Sequence, residues 1–245
     1  MDIIEGKNPV IEALKAGRPI SKILLDKNLM ARGSADQIVR LADSKGVEIQ
    51  YVDKQSMDRQ SATGSYQGVI AVAATKKYIG LQDLLAMSEA KKEAALYLVL
   101  DGIEDPHNLG AILRTADATG VHGVVIRERR AVGITPAVTK ASAGAVEYMP
   151  VAMVANIAQS LEVLKKKGVW AVGIDMAGET NYSAVDFKLP TAIVIGGEGK
   201  GLSDLVRKRC DLTASIPMRG KISSLNASVA AAVVMYEALR QRTSR

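Results

Sequence analysis

Apolar residues fall into short runs of four to seven, separated by stretches in which they recur with helical spacing, and this alternation continues along the whole chain. In KNPVIEALKAG, Val10, Ile11 and Leu14 form one helical stripe. Asn8 is the expected N-cap, Pro9 sits at the first helical position and Gly17 is the stop. ISKILLD predicts a strand. SADQIVRLADSKG repeats the helical pattern, with Ser34 as cap and Gly46 as closure, and VEIQYV and QGVIAVAA predict two further strands. These segments form a compact alternating β/α unit, residues 1–75. The span 76–93, KKYIGLQDLLAMSEAKKE, is charged at both ends around an amphipathic middle and reads as a linker.

A second unit, 94–245, carries the strands ALYLVLD, GVVIR, VWAVGID and TAIVIGG. The helical segments NLGAILRTADATG, NIAQSLEVLKKKG and LSDLVRKRC lie between or after them. Nearly continuous apolar strands alternating with amphipathic helices imply an α/β domain with a mostly parallel sheet. Ligands of such sheets sit at the carboxyl ends of the strands.

Composition narrows the chemistry. Aromatics make up 4% of the 245 residues, with one Trp and one Phe, so RNA recognition by rows of stacked rings is not expected. The single cysteine, Cys210, forms no internal disulfide, and two histidines offer no zinc-ligand spacing. No signal peptide or bilayer-spanning run is evident, and a reducing cytoplasm is the expected location. The formal net charge is +6, unevenly placed: residues 1–75 carry ten Lys/Arg against nine Asp/Glu, leaving 22 against 17 for the rest. That excess is weak support for a polyanionic partner.

Three loops of the second unit hold candidate chemistry. In LDGIEDPHNLGAILRTAD, Asp105-Pro106 favours a turn and Asn108 is the expected N-cap of a helix from Leu109. Arg114 then falls at the edge of the apolar face, where pairing with Asp117 three residues on is the plain alternative to a function. His107 reads as a turn residue. In IVIGGEGKGLSDLV, glycines 197, 199 and 201 link a strand to a helix. They fit neither the dinucleotide fingerprint nor Walker A, and Glu198 would repel a phosphate. In IPMRGKISSLNASVAAAVVMYEAL, Pro217 breaks a strand, Ser223, Ser224 and Asn226 open a helix, and its Ala-rich body permits close approach of neighbouring segments.

Together these loops resemble the three motifs of the SpoU (TrmH) family of RNA 2′-O-ribose methyltransferases, of the SPOUT superfamily, in order and in spacing. EGKNPVIEAL and its β/α unit resemble the L30e-like RNA substrate-binding domain of the RlmB-type subgroup, which modifies a guanosine of 23S rRNA. The resemblance implies a deep trefoil knot in the second domain, a homodimer, and S-adenosylmethionine as cofactor, with no metal and no membrane. It implies cofactor contacts through backbone at Gly196, Ile216 and Leu225, with Gly201 and Met218 nearby, and a catalytic group of Asn108, Arg114, Glu198, Ser224 and Asn226. Arg219 and Lys221 make the third loop basic and are expected to contact RNA phosphate. The family account makes the residue matching Arg114 the base. A guanidinium holds its proton too tightly for that role to be easy, so stabilisation of a developing alkoxide is the expected role here. Methylation of tRNA or of an rRNA adenosine, and a non-catalytic RNA-binding assembly factor, are the alternatives. A nicotinamide-dependent oxidoreductase is disfavoured by the glycine spacing.

Overall fold

A computed structural model describes residues 1–30, 35–199 and 201–243. The first elements are β1 (Asp2–Glu5), α1 (Lys7–Lys15), β2 (Ile20–Asp26), α2 (Lys27–Met30), α3 (Asp36–Ser44), β3 (Glu48–Val52), α4 (Lys54–Gln60) and β4 (Val69–Ala73). Next come α5 (Leu81–Glu89), β5 (Leu96–Asp101), α6 (Pro106–Ala118), β6 (Gly123–Arg127), α7 (Pro136–Ala141), β7 (Val151–Val154) and α8 (Ile157–Lys166). The chain ends with β8 (Trp170–Ile174), β9 (Thr180–Asn181), β10 (Thr191–Gly196), α9 (Asp204–Arg209), β11 (Leu212–Ser215) and α10 (Ala227–Thr243).

The chain divides into two compact units, one of Met1–Lys77 with Ile134–Tyr148, the other of Tyr78–Gly133 with Met149–Arg245. In the first, the strands order as β1-β4-β2-β3. β2 and β3 are parallel, and β4 runs antiparallel to both β1 and β2. Its core gathers Ile4, Val10, Leu14, Ile23, Leu25, Ile38 and Val69. Helix α1 starts two residues earlier than the sequence suggests, because Gly6, at φ 97°, turns the chain sharply out of β1. Asn8 therefore lies inside the first turn and is not the cap. Helix α3 shows the expected end at Gly46, which is left-handed at φ 64°; Ser34, its expected cap, lies outside the described residues.

The segment Ile134–Tyr148 joins this unit through Glu147, whose carboxylate is 2.6 Å from Arg18. Both side chains are almost fully buried, and Arg18 also binds Asp2 and donates to the Ala74 carbonyl at 3.0 Å. A residue so placed is not announced by any local pattern in a stretch as apolar as AVTKASAGAVEY.

The second unit holds a seven-stranded sheet in the order β7-β6-β5-β10-β8-β11-β9, with every pairing parallel. β5 and β10 are buried along their whole length, as strands covered on both faces must be. One face packs Val99, Val125 and Val194 against Ile157, Leu161 and Leu164 of α8 and Leu84 and Leu85 of α5. The alternate residues face the other way, where α6 and α10 pack on β6 and β10. The stretch read as a linker thus contains α5, a helix of the second unit: its amphipathic middle finds a sheet to cover. The Ala-rich face of α10 lies against α6 and β10, with Ala231, Val234, Met235 and Ala238 fully buried.

Candidate active site

The loops at the carboxyl ends of β8, β10 and β11 converge with the start of α10 around a cavity of about 400 Å³. Gly196, Glu198, Gly201, Ile216, Met218, Ser224, Leu225 and Asn226, eight of the residues singled out from sequence, line it. The volume is within the range of small-molecule sites.

Glycine is required where the β10 loop folds back on itself and where it meets the loop after β5. A Cβ on Gly196 would lie 2.0 Å from the carbonyl carbon of Gly201, and one on Gly197 would lie 2.3 Å from the Gly102 carbonyl oxygen. The β10 loop is held from beneath by Asp101, whose carboxylate accepts from Ser203 N at 2.9 Å and Ser203 Oγ at 2.7 Å, while its carbonyl accepts from Gly197 N at 3.0 Å. The β10 side of the cavity is therefore anchored at the end of β5.

Helix α6 differs from its sequence reading at its start. Asp105 is the cap, its carboxylate accepting from His107 N at 2.9 Å, and Pro106 takes the first helical position. Asn108 is thus inside the helix, and its side chain is freed from capping. It is buried; its amide donates to Glu198 Oε1, and its oxygen accepts from Asn226 Nδ2 at 3.0 Å. Asn226 in turn caps α10, its Oδ1 accepting from Ser228 N at 2.9 Å and Val229 N at 3.3 Å. One residue from each of the three loops is thereby linked in a single chain of hydrogen bonds.

Arg114 is exposed on α6 and does not line the cavity; six residues along a helix from Asn108 corresponds to about 9 Å of rise. Ser224, Arg219 and Lys221 are also exposed, on the irregular segment between β11 and α10. Neither Arg219 nor Lys221 forms an ion pair among the described residues.

Two charged lining residues were missed from sequence. Asp175 follows β8 and pairs with Arg207 of α9 at 2.8 Å, its carboxylate largely shielded, and both border the cavity. The signal was the last residue of VWAVGID, an acid at a strand's carboxyl end. Cys210 offers no nucleophile, because burial, followed by the negative charge of Asp211, pushes its thiol up to about 12. Among the described residues no three His, Cys, Asp or Glu side chains gather as a metal site, and no helix is long and apolar enough to cross a membrane.

The donor set fits a ligand bearing positive charge and many hydrogen-bonding groups. Glu198 and Asp175 are acidic, Ser223 and Ser224 carry hydroxyls, and the cation Arg207 is already paired. S-adenosylmethionine has those properties, whereas a pyrophosphate would meet Glu198.

Comparison with known proteins agrees with this arrangement. Residues 95–236 match the model of the SpoU rRNA Methylase family, and residues 3–79 match that of RNA 2′-O ribose methyltransferase substrate binding. The chain is 48% identical over 241 residues to YacO of Bacillus subtilis (strain 168), assigned to the TrmH family of tRNA/rRNA methyltransferases, covering 98% of this chain and 96% of that protein. The SpoU methyltransferase AviRb from Streptomyces viridochromogenes, solved in complex with AdoMet, superposes with a TM-score of 0.83 at 28% identity, over 99% of this chain and 91% of that one. The AdoMet-bound rRNA methyltransferase from Sinorhizobium meliloti gives 0.80 at 25% identity, over 100% and 88%.

Proposed function

The chain belongs to the SpoU rRNA Methylase family, and we propose on that premise that it methylates a ribose 2′-hydroxyl of RNA, a guanosine of 23S rRNA, using S-adenosylmethionine. The observation that carries this reading is the hydrogen-bonded chain Glu198–Asn108–Asn226, whose two ends line the cavity. The choice of rRNA is supported by the full-length likeness to the Sinorhizobium meliloti rRNA methyltransferase.

When bound, S-adenosylmethionine supplies an electrophilic methyl group on a sulfonium. Backbone at Gly196, Ile216 and Leu225, with Gly201 and Met218 beside them, holds it. Glu198, Asn226 and Ser224 position the ribose, and Asn108 fixes Glu198 and Asn226 relative to one another. Alignment of a hydroxyl with its target is worth about 7–11 kcal/mol in effective-molarity terms, so rigid placement is the main contribution asked of these residues. Arg114, Arg219 and Lys221 meet the RNA. The 2′-hydroxyl proton passes to water as the oxygen takes the methyl group, and the Arg114 guanidinium stabilises the partial negative charge that the oxygen carries on the way.

A homodimer belongs to the same proposal. Val229 and Tyr236 lie one heptad apart on α10 and are 47% and 54% exposed, an apolar face that a second copy covers. So do the trefoil knot, supported by the likeness to the AdoMet-bound SpoU methyltransferase AviRb, and a cytoplasmic location, supported by a single cysteine in the sequence.

The test is incubation with labelled S-adenosylmethionine and total RNA from cells lacking the protein, followed by mapping of the modified nucleotide. Label on the ribose of one 23S guanosine is the expected result. Label in tRNA keeps the chemistry and overturns the substrate. No label and no cofactor binding overturns the enzyme.

A further inference from the structure

The loop after β6 reads RERRAVG, and none of its three arginines entered the site described above. It stands beside that site. Its Val132 N donates to the Ile103 carbonyl at 2.8 Å, in the loop after β5. The Arg130 carbonyl lies 3.7 Å from where a Gly102 Cβ would be, and the Gly102 carbonyl in turn presses on Gly197, the neighbour of Glu198. A short series of backbone contacts therefore connects the arginine loop to the acid that positions the ribose.

The charges in this loop are unspent. Arg207, Arg209 and Arg240 elsewhere in this unit are each paired with a carboxylate. By contrast, Arg127, Arg129 and Arg130 form no ion pair among the described residues, although Glu128 lies between them in sequence and is exposed. Arg129 and Arg130 are exposed, and Arg127 Nε is buried with no hydrogen-bond partner. Arg130 also holds a left-handed backbone, φ 57°, that non-glycine residues seldom adopt.

Resting on the RNA-methyltransferase reading, we propose that the Arg127–Arg130 loop is a phosphate-binding element. It grips the RNA backbone beside the nucleotide whose ribose enters the site. Guanidinium forks match phosphate oxygens bidentately, so the ligand is the sugar–phosphate backbone rather than a base edge. The loop thus sets register and affinity without adding sequence preference. This assigns the strand's path: it leaves the third loop, with Arg219 and Lys221, and crosses the carboxyl end of β6.

The test uses the full-length protein, wild type and Arg129→Gln/Arg130→Gln, titrated with a 23S rRNA transcript over a range of salt and, separately, with S-adenosylmethionine. The expected result is a fall of about 2 in the slope of log affinity against log salt, about 1 for each phosphate that is no longer neutralised. Binding should weaken by roughly tenfold or more, equally for an unrelated transcript of the same length, as a grip on the RNA backbone requires. Cofactor affinity stays at the wild-type value. The Arg129→Lys/Arg130→Lys protein, which keeps both charges, should keep the slope; a reduced slope there would trace to a damaged loop and overturn the assignment. An unchanged slope in the Gln protein, with normal wild-type binding, overturns the loop's role and leaves the enzyme standing. Wild-type protein that binds neither RNA nor cofactor overturns both.

Discussion

Asn226 donates its side-chain amide to the Asn108 oxygen at 3.0 Å, joining positions 118 residues apart in sequence. Asn108 passes the connection to Glu198 through its own amide. The start of the last helix and the end of a central strand are thus tied through one buried side chain, and the orientation of Glu198 depends on a residue that does not itself line the cavity.

Replacing Asn108 with Ala leaves Glu198 and Asn226 each without that partner. A hydrogen bond to a charged group contributes about 1.5–3 kcal/mol. If that loss is expressed in the transition state, turnover falls roughly 10- to 150-fold. Single-turnover methylation should show the fall while cofactor affinity in a separate titration changes little. A loss of cofactor affinity equal to the loss of rate would mean that Asn108 supports the cavity and not the reacting geometry.

Arg114→Lys keeps a positive charge and discards the planar fork. Turnover should drop about 100-fold, the scale of removing one preorganised donor, with RNA affinity retained. Near wild-type turnover would show that a point charge suffices and that the fork has no part in stabilising the 2′-oxygen.

Gly196→Ala puts a methyl 2.0 Å from Gly201 backbone, and the β10 loop must open to admit it. Binding of S-adenosylmethionine should be lost by calorimetry. At Gly199 nothing lies within 4 Å of an added Cβ, although its φ is 77°. Gly199→Ala should therefore cost only the backbone penalty, about 1–2 kcal/mol, and keep measurable cofactor binding.

Acid should loosen the first unit through Glu5. Burial alone would raise its carboxyl, but hydrogen bonds from Thr63, Ala62 and Ser61 outweigh that and hold it below the usual glutamate range. The folded-state value is thus depressed. Its stabilisation is fully present above the unfolded-state value and is lost as pH falls through the folded one. Glu5→Gln should lower Tm by roughly 2–4 °C near neutral pH, for a cost of about 1 kcal/mol, with the gap to wild type closing below pH ~4. A gap that stays constant from pH 7 to 3 would locate the effect in packing instead of charge.

Short-range physics made much of this protein legible from its sequence. Strands such as ALYLVLD and TAIVIGG are buried on both faces and cannot be other than apolar, so their runs mark a parallel sheet directly. Eight lining residues of the cavity were also recoverable, through the resemblance of IVIGGEGKGL and IPMRGKISSLNASVAAAVVMYEA to family motifs. What the tertiary structure alone decided are the long-range relations. Asn108 looked like a cap until Asp105 took that role and freed its amide for Glu198 and Asn226. The amphipathic stretch around Leu84 and Leu85 looked like a linker until a sheet face stood beside it. Arg18 and Glu147 gave no local sign of their pairing. Periodicity and capping preferences act over a few residues. Which polar group meets which across more than a hundred residues depends on where the strands place their ends, and one chain read by itself does not contain that distance.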